Sequence, residues 1–282
     1  MKYLITNNYN NIIMNFILID GSYYIFYRYH ALCTWWKLAK HEDETDVPYE
    51  NERFIEKYKD TFVKKIHEIE KKLKIKDATI YVGKDCPRKN IWRNKNIEDY
   101  KGGRVNCDYM KLLFDIAYNN NDTLKTNLFL KAGCKKVIEE SNVEADDIIA
   151  LTSKHILSKY PDAKIWIITS DMDYLQLACE NITLMNLKFK KLTDSKGSFN
   201  DADKDLFCKI ITGDKSDNIP SVFPKCGIKT AEKYYNDKVL FEKKLEITPN
   251  AKELYERNRL IIDFDYIPQE YMNNVNEIIK DI

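Results

Sequence analysis

No run of 18 apolar residues occurs anywhere in the 282-residue chain, which excludes a membrane-spanning helix of the usual kind. The opening residues, MKYLITNNYNNIIMNFILID, break up their apolar groups with asparagine and show neither the apolar stretch nor the small-residue cleavage site of a secretion signal. No Cys-x-x-Cys pair is present. The seven cysteines, Cys33, Cys86, Cys107, Cys134, Cys179, Cys208 and Cys226, are odd in number, so neither a zinc site nor a disulfide framework is suggested. The expectation is a soluble, intracellular protein in a reducing compartment, with no membrane partner. An excess of one charge is also missing: 45 Lys and Arg against 44 Asp and Glu leave a net charge of +1, so any polyanion site has to come from local segregation. No internal repeat is evident, and 44% hydrophobic residues excludes disordered and fibrous classes.

What is present is a set of apolar runs that end in acids. Phe16 to Ile19 reads as a buried parallel strand that stops at Asp20, and residues 1–14 read as an N-terminal extension. An aromatic segment, Tyr23 to Trp36, and an acidic loop follow. Ile55, Tyr58, Phe62, Ile66, Ile69 and Leu73 then recur at helical spacing, which predicts one amphipathic helix over 49–75. Ala78 to Val82 is the second strand, with Asp85 just beyond it. Val137-Ile138 is a short strand candidate before a helix over 144–158, and Lys164 to Thr169 is a strand that ends before Asp171 and Asp173. Strands alternating with helices predict an α/β fold with a mostly parallel sheet, in which ligands bind beyond the carboxyl ends of the strands.

Glu144-Ala145-Asp146-Asp147 is the densest acidic cluster. Acids in the first turn of a helix offset its dipole, so alone this cluster fits a helix cap as well as a ligand set. Several strand ends supplying acids together favour a cation site, because clustered carboxylates repel. Residues 84–104 carry Lys84, Arg88, Lys89, Arg93, Lys95, Lys101 and Arg104 interleaved with Trp92 and Tyr100, a composition suited to phosphates and unstacked bases, or to a solvated face. Residues 213–231, GDKSDNIPSVFPKCGIKTA, place Asp214 and Asp217 before a Pro- and Gly-punctuated turn whose backbone could hold phosphates, or which only connects two helices.

In order, DGSYYIFYRYHA, WRNKNIEDYKGGR, EADD, TSDMDYLQL and GDKSDNIP with GIKTA resemble the 5′-nuclease family that includes flap endonucleases, bacteriophage 5′ exonucleases and the 5′-nuclease domain of bacterial DNA polymerase I. The resemblance implies a PIN-like catalytic domain over 15–200 with a helical arch at about 86–126, and a helical DNA-binding subdomain over 201–282 with a helix-three-turn-helix at about 213–236. It implies two Mg²⁺ or Mn²⁺ ions, the first held by Asp20, Asp85, Glu144 and Asp146, the second held or surrounded by Asp147, Asp171, Asp173, Asp214 and Asp217; hard cations suit such an all-oxygen set. Lys101 and Arg104 would hold the scissile phosphate with Arg93 assisting. Tyr24, Arg28, Lys89, Tyr100, Lys225, Gly227, Lys229 and Thr230 would contact DNA, with a K⁺ ion at the helix-hairpin element. The implied activity is a monomeric, two-metal, structure-specific 5′ nuclease acting on 5′ flaps, branched or duplex ends of DNA, with RNA:DNA hybrids and primer removal left open. Two departures stand out: Gly83-Lys84 separates the second strand's apolar run from Asp85, and residues 106–126 are not strongly basic. The alternatives are a 5′-3′ exoribonuclease and a non-catalytic DNA-binding member of the fold. A phosphatase of the haloacid dehalogenase kind needs an Asp where Ser22 stands.

Overall fold

Phe16 to Ile19 is apolar at every position because both faces of its strand are covered. Phe16 and Leu18 join one core cluster and Ile17 and Ile19 the other, all at 2% exposure or less. Each such burial stabilises by roughly 1.5–3 kcal/mol. The computed structural model describes residues 13–39, 48–103, 108–118 and 127–282. Five strands, β1 (Asn15–Asp20), β2 (Thr79–Gly83), β3 (Lys136–Ile138), β4 (Lys164–Ile168) and β5 (Ile182–Met185), pair in parallel in the order β3-β2-β1-β4-β5. The sheet is the α/β arrangement expected from sequence; β5 was not foreseen.

Helices α1 (Gly21–Leu38), α2 (Glu52–His67), α3 (Ile69–Leu73), α4 (Asp108–Tyr118) and α5 (Leu128–Lys131) contribute to the core on the Ile17 side. The aromatic segment is thus helix α1, and the single helix expected over 49–75 is two, α2 and α3, divided at Glu68. Helix α6 (Ala145–Lys159) covers the Phe16 side. Beyond it lie α7 (Ala202–Thr212), α8 (Ile228–Asn236), α9 (Lys238–Ile247), α10 (Ala251–Ile262) and α11 (Gln269–Ile279). Phe264, Tyr271, Val275 and Ile279 belong to the same core cluster as α6 and the sheet, so the end of the chain packs back on the sheet as well as following the α7–α8 region. Among the described residues no helix is long and apolar enough to cross a membrane.

Register aligns the strand ends. Asp20 lies opposite Gly83 and Ile19 opposite Ile168, which brings Asp20, the loop carrying Asp85 and the turn carrying Asp171 to one edge of the sheet. Gly83 lets α6 approach that edge: a Cβ there would stand 2.9 Å from the Ala145 carbonyl oxygen. The contact sets Glu144 and Asp146 beside the other acids.

Candidate active site

The acids at the carboxyl edge fall into two groups. The first is Asp20, Asp85, Asp146 and Asp171, none of which is in ion-pair contact with a Lys or Arg among the described residues. Asp20 caps α1 by accepting from the Tyr23 N–H at 2.9 Å, while its other oxygen accepts from Thr169 Oγ1 at 3.3 Å and Tyr174 Oη at 3.4 Å. Asp85 accepts from the Ala145 N–H at 2.8 Å and from the Ser22 hydroxyl, so it ties β2 to α1 and α6. Asp171 accepts from the Asp173 N–H at 3.0 Å. The fully buried Tyr174 phenol lies among these four: burial, then Asp20, Asp146, Asp171 and Asp85, push its pKa well above the ordinary value. Burial and the nearby Asp85 raise Asp20 to about 7. Burial also raises Asp146 well above the usual carboxylate range, with Asp147 and Glu144 adding to it against Arg93.

The second group has cations built in. Glu144 stands at the N-cap position of α6 but makes no capping hydrogen bond; the helix-cap reading fails there. Its carboxylate accepts from Arg93 Nη1 at 2.9 Å, from Tyr100 Oη at 3.2 Å and from Lys101 Nζ. Burial opposes ionisation of Glu144, but Lys101 and Arg93 outweigh it and hold the pKa below the ordinary value. Asp147 is fully buried and takes Arg93 in a two-pronged pair, at 2.5 and 2.7 Å, plus Trp92 Nε1 at 2.8 Å. Arg93 Nε donates to the Ile261 carbonyl at 2.8 Å, so the guanidinium is buried at 2% exposure beneath the acids. Burial works against its charge, and Asp147, Asp146 and Glu144 hold it protonated.

Lys209 of α7 bridges Asp173 and Asp214, at 2.6 Å each. Asp214 also accepts from the Ser216 N–H and hydroxyl at 2.7 and 2.6 Å; despite burial, Lys209 and Ser216 lower it to about 2. Burial, then Asp171, raise Asp173 despite Lys209. Lys101 lies 3.8 Å from Asp217, and its N–H donates to the Asp217 carbonyl at 3.3 Å, which fastens the 99–101 segment to the 214–218 turn. Asn218 reinforces this by donating to the Asp99 carbonyl at 2.7 Å. Among the described residues no three His, Cys, Asp or Glu side chains are grouped as around one bound ion. Part of the repulsion that the sequence reading assigned to metals is offset by Arg93, Lys101 and Lys209.

The remaining expected residues divide by exposure. Tyr24 is fully buried with its hydroxyl donating to the Phe62 carbonyl at 2.8 Å, so it is a core residue and not a nucleic-acid contact. Tyr100 is buried against Glu144, so its ring is not an open stacking platform. Arg28 is half-buried over the Tyr27 ring at 5.2 Å. Lys89 is exposed in a short 3₁₀ turn, and Lys225, Gly227, Lys229 and Thr230 form an exposed turn into α8. Gly227 caps α8 without a side chain, which leaves that N-terminus accessible. Arg104 and, of the expected arch, residues 105–107 and 119–126 lie outside the described residues. Lys209, Tyr174 and Ser22 are not among the expected site residues, although Tyr174 lies in the TSDMDYLQL motif and Ser22 two residues after Asp20.

A parallel sheet with acids gathered at its carboxyl edge, and lysines reaching into them from a neighbouring loop and helix, is the PIN-like α/β nuclease fold. The chain belongs to the 5′-3′ exonuclease family, whose model, described as a 5′-3′ exonuclease N-terminal resolvase-like domain, matches residues 15–204. It is 30% identical over 224 residues to a 5′-3′ exonuclease of Buchnera aphidicola subsp. Acyrthosiphon pisum, covering 76% of this chain and 68% of that one. It is 32% identical over 156 residues to a ribonuclease H of Enterobacteria phage T4, about half of each chain at 49%. The fold matches the bacteriophage T5 flap endonuclease, in a complex with DNA and metal ions, at a TM-score of 0.65 and 18% identity, over 95% of this chain and 98% of that one. A second structure, of T5 5′-exonuclease with zinc, gives the same score and identity.

Proposed function

We propose that this nuclease is a divalent-metal-dependent, structure-specific 5′ nuclease of DNA. The observation that carries the reading is the gathering of Asp20, Asp85, Asp146 and Asp171 at the carboxyl edge of the sheet without an ion-pair partner among the described residues. An all-carboxylate set, with burial raising the proton affinity of Asp20 and Asp146, fits Mg²⁺ or Mn²⁺. Asp20, Asp85, Glu144 and Asp146 would hold one ion, and Asp171, Asp173, Asp214 and Asp217 a second. When bound, such ions supply a water activated for attack and neutralise charge developing on the phosphodiester. A K⁺ ion at the turn before α8 belongs to the same reading.

The chain's own groups have separable roles. Lys101, with Arg104, aligns the scissile phosphate, and its charge counts most in the transition state. Arg93 and Asp147 act beneath the site: the buried pair fixes the first turn of α6 and so orients Glu144 and Asp146. Residues 15–200 carry the chemistry, with Asp214 and Asp217 added to it from the region that follows. The α7–α8 region, with Lys225, Lys229 and Thr230 at its turn, grips duplex phosphates without reading bases, which makes structure and 5′ ends the basis of specificity. Lys89 and Arg28 extend that grip, and the enzyme acts as a monomer.

The test is cleavage of a labelled 5′-flap duplex and a blunt duplex, each with Mg²⁺ and with EDTA. Metal-dependent cutting near the flap junction is expected. Binding with no cutting would favour the non-catalytic member of the fold. A second reading, removal of RNA from RNA:DNA hybrids, is favoured by the likeness to the phage T4 ribonuclease H; a matched hybrid in the same assay decides it.

A further inference from the structure

Tyr118, the last residue of α4, carries a polar group that the reading above leaves without a use. The residue is 5% exposed, and its hydroxyl is buried with no hydrogen-bond partner among the described residues. A buried hydroxyl without a partner pays its desolvation in full. Its position is specific. A Cβ on Gly21 would fall 2.2 Å from the hydroxyl oxygen, so the phenol fills the space left by the missing side chain of the residue that follows Asp20. The same Cβ would stand 2.8 Å from the Gly83 carbonyl oxygen, so the hydroxyl lies where the ends of β1 and β2 meet, next to the residue after Asp20 and two residues before Asp85; burial, then Asp85 and Asp20, raise its pKa, and it is a donor.

The ring is clamped: Lys84 Nζ stands 4.8 Å from its centre, and Phe129 and Phe114 flank it at 5.5 and 5.9 Å. The nearby carboxylates are already engaged, Asp85 by Ser22 and Ala145 and Asp20 by Tyr23, Thr169 and Tyr174. An O–H held rigidly beside such oxygens suits an acceptor that arrives with the reaction.

We propose that Tyr118 is a positioning residue whose hydroxyl donates a hydrogen bond to a water carried by the divalent cation at Asp20 and Asp85. The proposal rests on the metal-dependent reading above. It makes α4 part of the catalytic centre, since seating of this helix delivers the donor to the strand ends. Outer hydrogen-bond partners of this kind are worth about 10- to 100-fold in metal affinity or activity.

The experiment compares the full-length wild-type chain with Tyr118→Phe, using Mn²⁺ as the probe. Thermal unfolding is followed in EDTA and across a Mn²⁺ titration, and single-turnover cleavage of a 5′-flap duplex is measured at saturating Mn²⁺. In EDTA the variant is expected to match or exceed the wild type in stability, because it loses a buried hydroxyl that had no partner. Its Mn²⁺ midpoint should rise by about 10-fold or more, and its cleavage rate should fall by a similar factor with duplex affinity unchanged. An unchanged Mn²⁺ midpoint overturns the proposal, as does destabilisation in EDTA with an unchanged Mn²⁺ response, which marks a purely structural hydroxyl. A wild-type chain that binds no Mn²⁺ overturns the proposal together with the reading beneath it, whereas the other failures leave that reading standing.

Discussion

Asp146 and Asp147 are neighbours on the first turn of α6, yet their surroundings are opposite. Asp147 has both oxygens taken by Arg93 and Trp92 and no exposure, while Asp146 has no cation in contact among the described residues and a pKa raised by burial. The same contrast divides the whole crevice. On one side Glu144, Asp173, Asp214 and Asp217 face Arg93, Lys101 or Lys209; on the other, Asp20, Asp85 and Asp171 face hydroxyls, backbone N–H groups and one another. Built-in cations hold one side in place before any metal arrives, and the other side keeps an electrostatic debt that an arriving cation can relieve. An all-carboxylate crevice lacking the first side would repel itself on folding, and one lacking the second would have no preference for a metal.

The largest effect that can break this division is expected at Asp146. Asp146→Ala should lower Mg²⁺-dependent cleavage of a 5′-flap duplex by about 10³-fold or more, since cation stabilisation of the transition state supplies several kcal/mol. Duplex binding should survive, and Asp171→Ala should behave alike. Cleavage by either variant at rates close to wild type breaks the division. Arg93→Ala probes the opposite side: stranding Asp147 and Glu144 as buried charges should remove roughly 3–5 kcal/mol of stability in urea without metal. Arg93→Lys should restore only part, because an ammonium cannot make the two-pronged pair. A loss in the alanine variant too small to measure would mean the pair is not what holds α6.

Much of this was legible in the chain. Apolar runs that stop at an acid gave four strand ends, because in a parallel sheet both burial and the catalytic edge follow from chain direction. The division between the two sides was not, since whether a charge is paired depends on elements distant in sequence. Arg93 is expected from the resemblance to assist at the scissile phosphate, but the packing of α10 and α6 around it, with the Ile261 carbonyl and Asp147 as partners, buries the guanidinium beneath the acids. Lys209 has no motif around it; it matters because α7 passes beside the Asp171–Asp173 turn. The family resemblance assigns Tyr24 to nucleic acid, although Tyr24, Ile25, Tyr29, Leu32 and Trp36 recur at helical spacing and form the buried stripe of α1. β5 escaped notice because four residues with two half-buried positions give little pattern.

Lys101 sharpens the comparison because it belongs to the partnered side yet is the residue proposed to align the scissile phosphate. Lys101→Ala should slow the single-turnover step by about 10²-fold, the usual cost of one aligned donor, with a smaller change in substrate affinity. A variant that binds more weakly and cuts at the wild-type rate assigns Lys101 to grip alone.

The smallest effect separates the two sides by pH. Asp20 has its proton affinity raised from the ordinary 3.8 to about 7. Between those values the folded chain without metal binds more protons at this group than the unfolded chain, so the stabilisation present at low pH is lost as pH rises through 7, at up to about 1.4 kcal/mol per unit. Asp214 works in the opposite sense and in another window: lowered to about 2, it stabilises above the ordinary carboxylate value and loses that contribution as pH falls toward 2. Urea midpoints from pH 4 to 8 in EDTA should therefore decline toward neutrality in the wild type. The decline should flatten in Asp20→Asn, which cannot titrate, and Mn²⁺ should stabilise the wild type most above pH 7, where Asp20 has lost its proton. An equal slope in both proteins would place the strained charge elsewhere in the crevice, and Asp146, the other unpaired acid raised by burial, would be the next to replace.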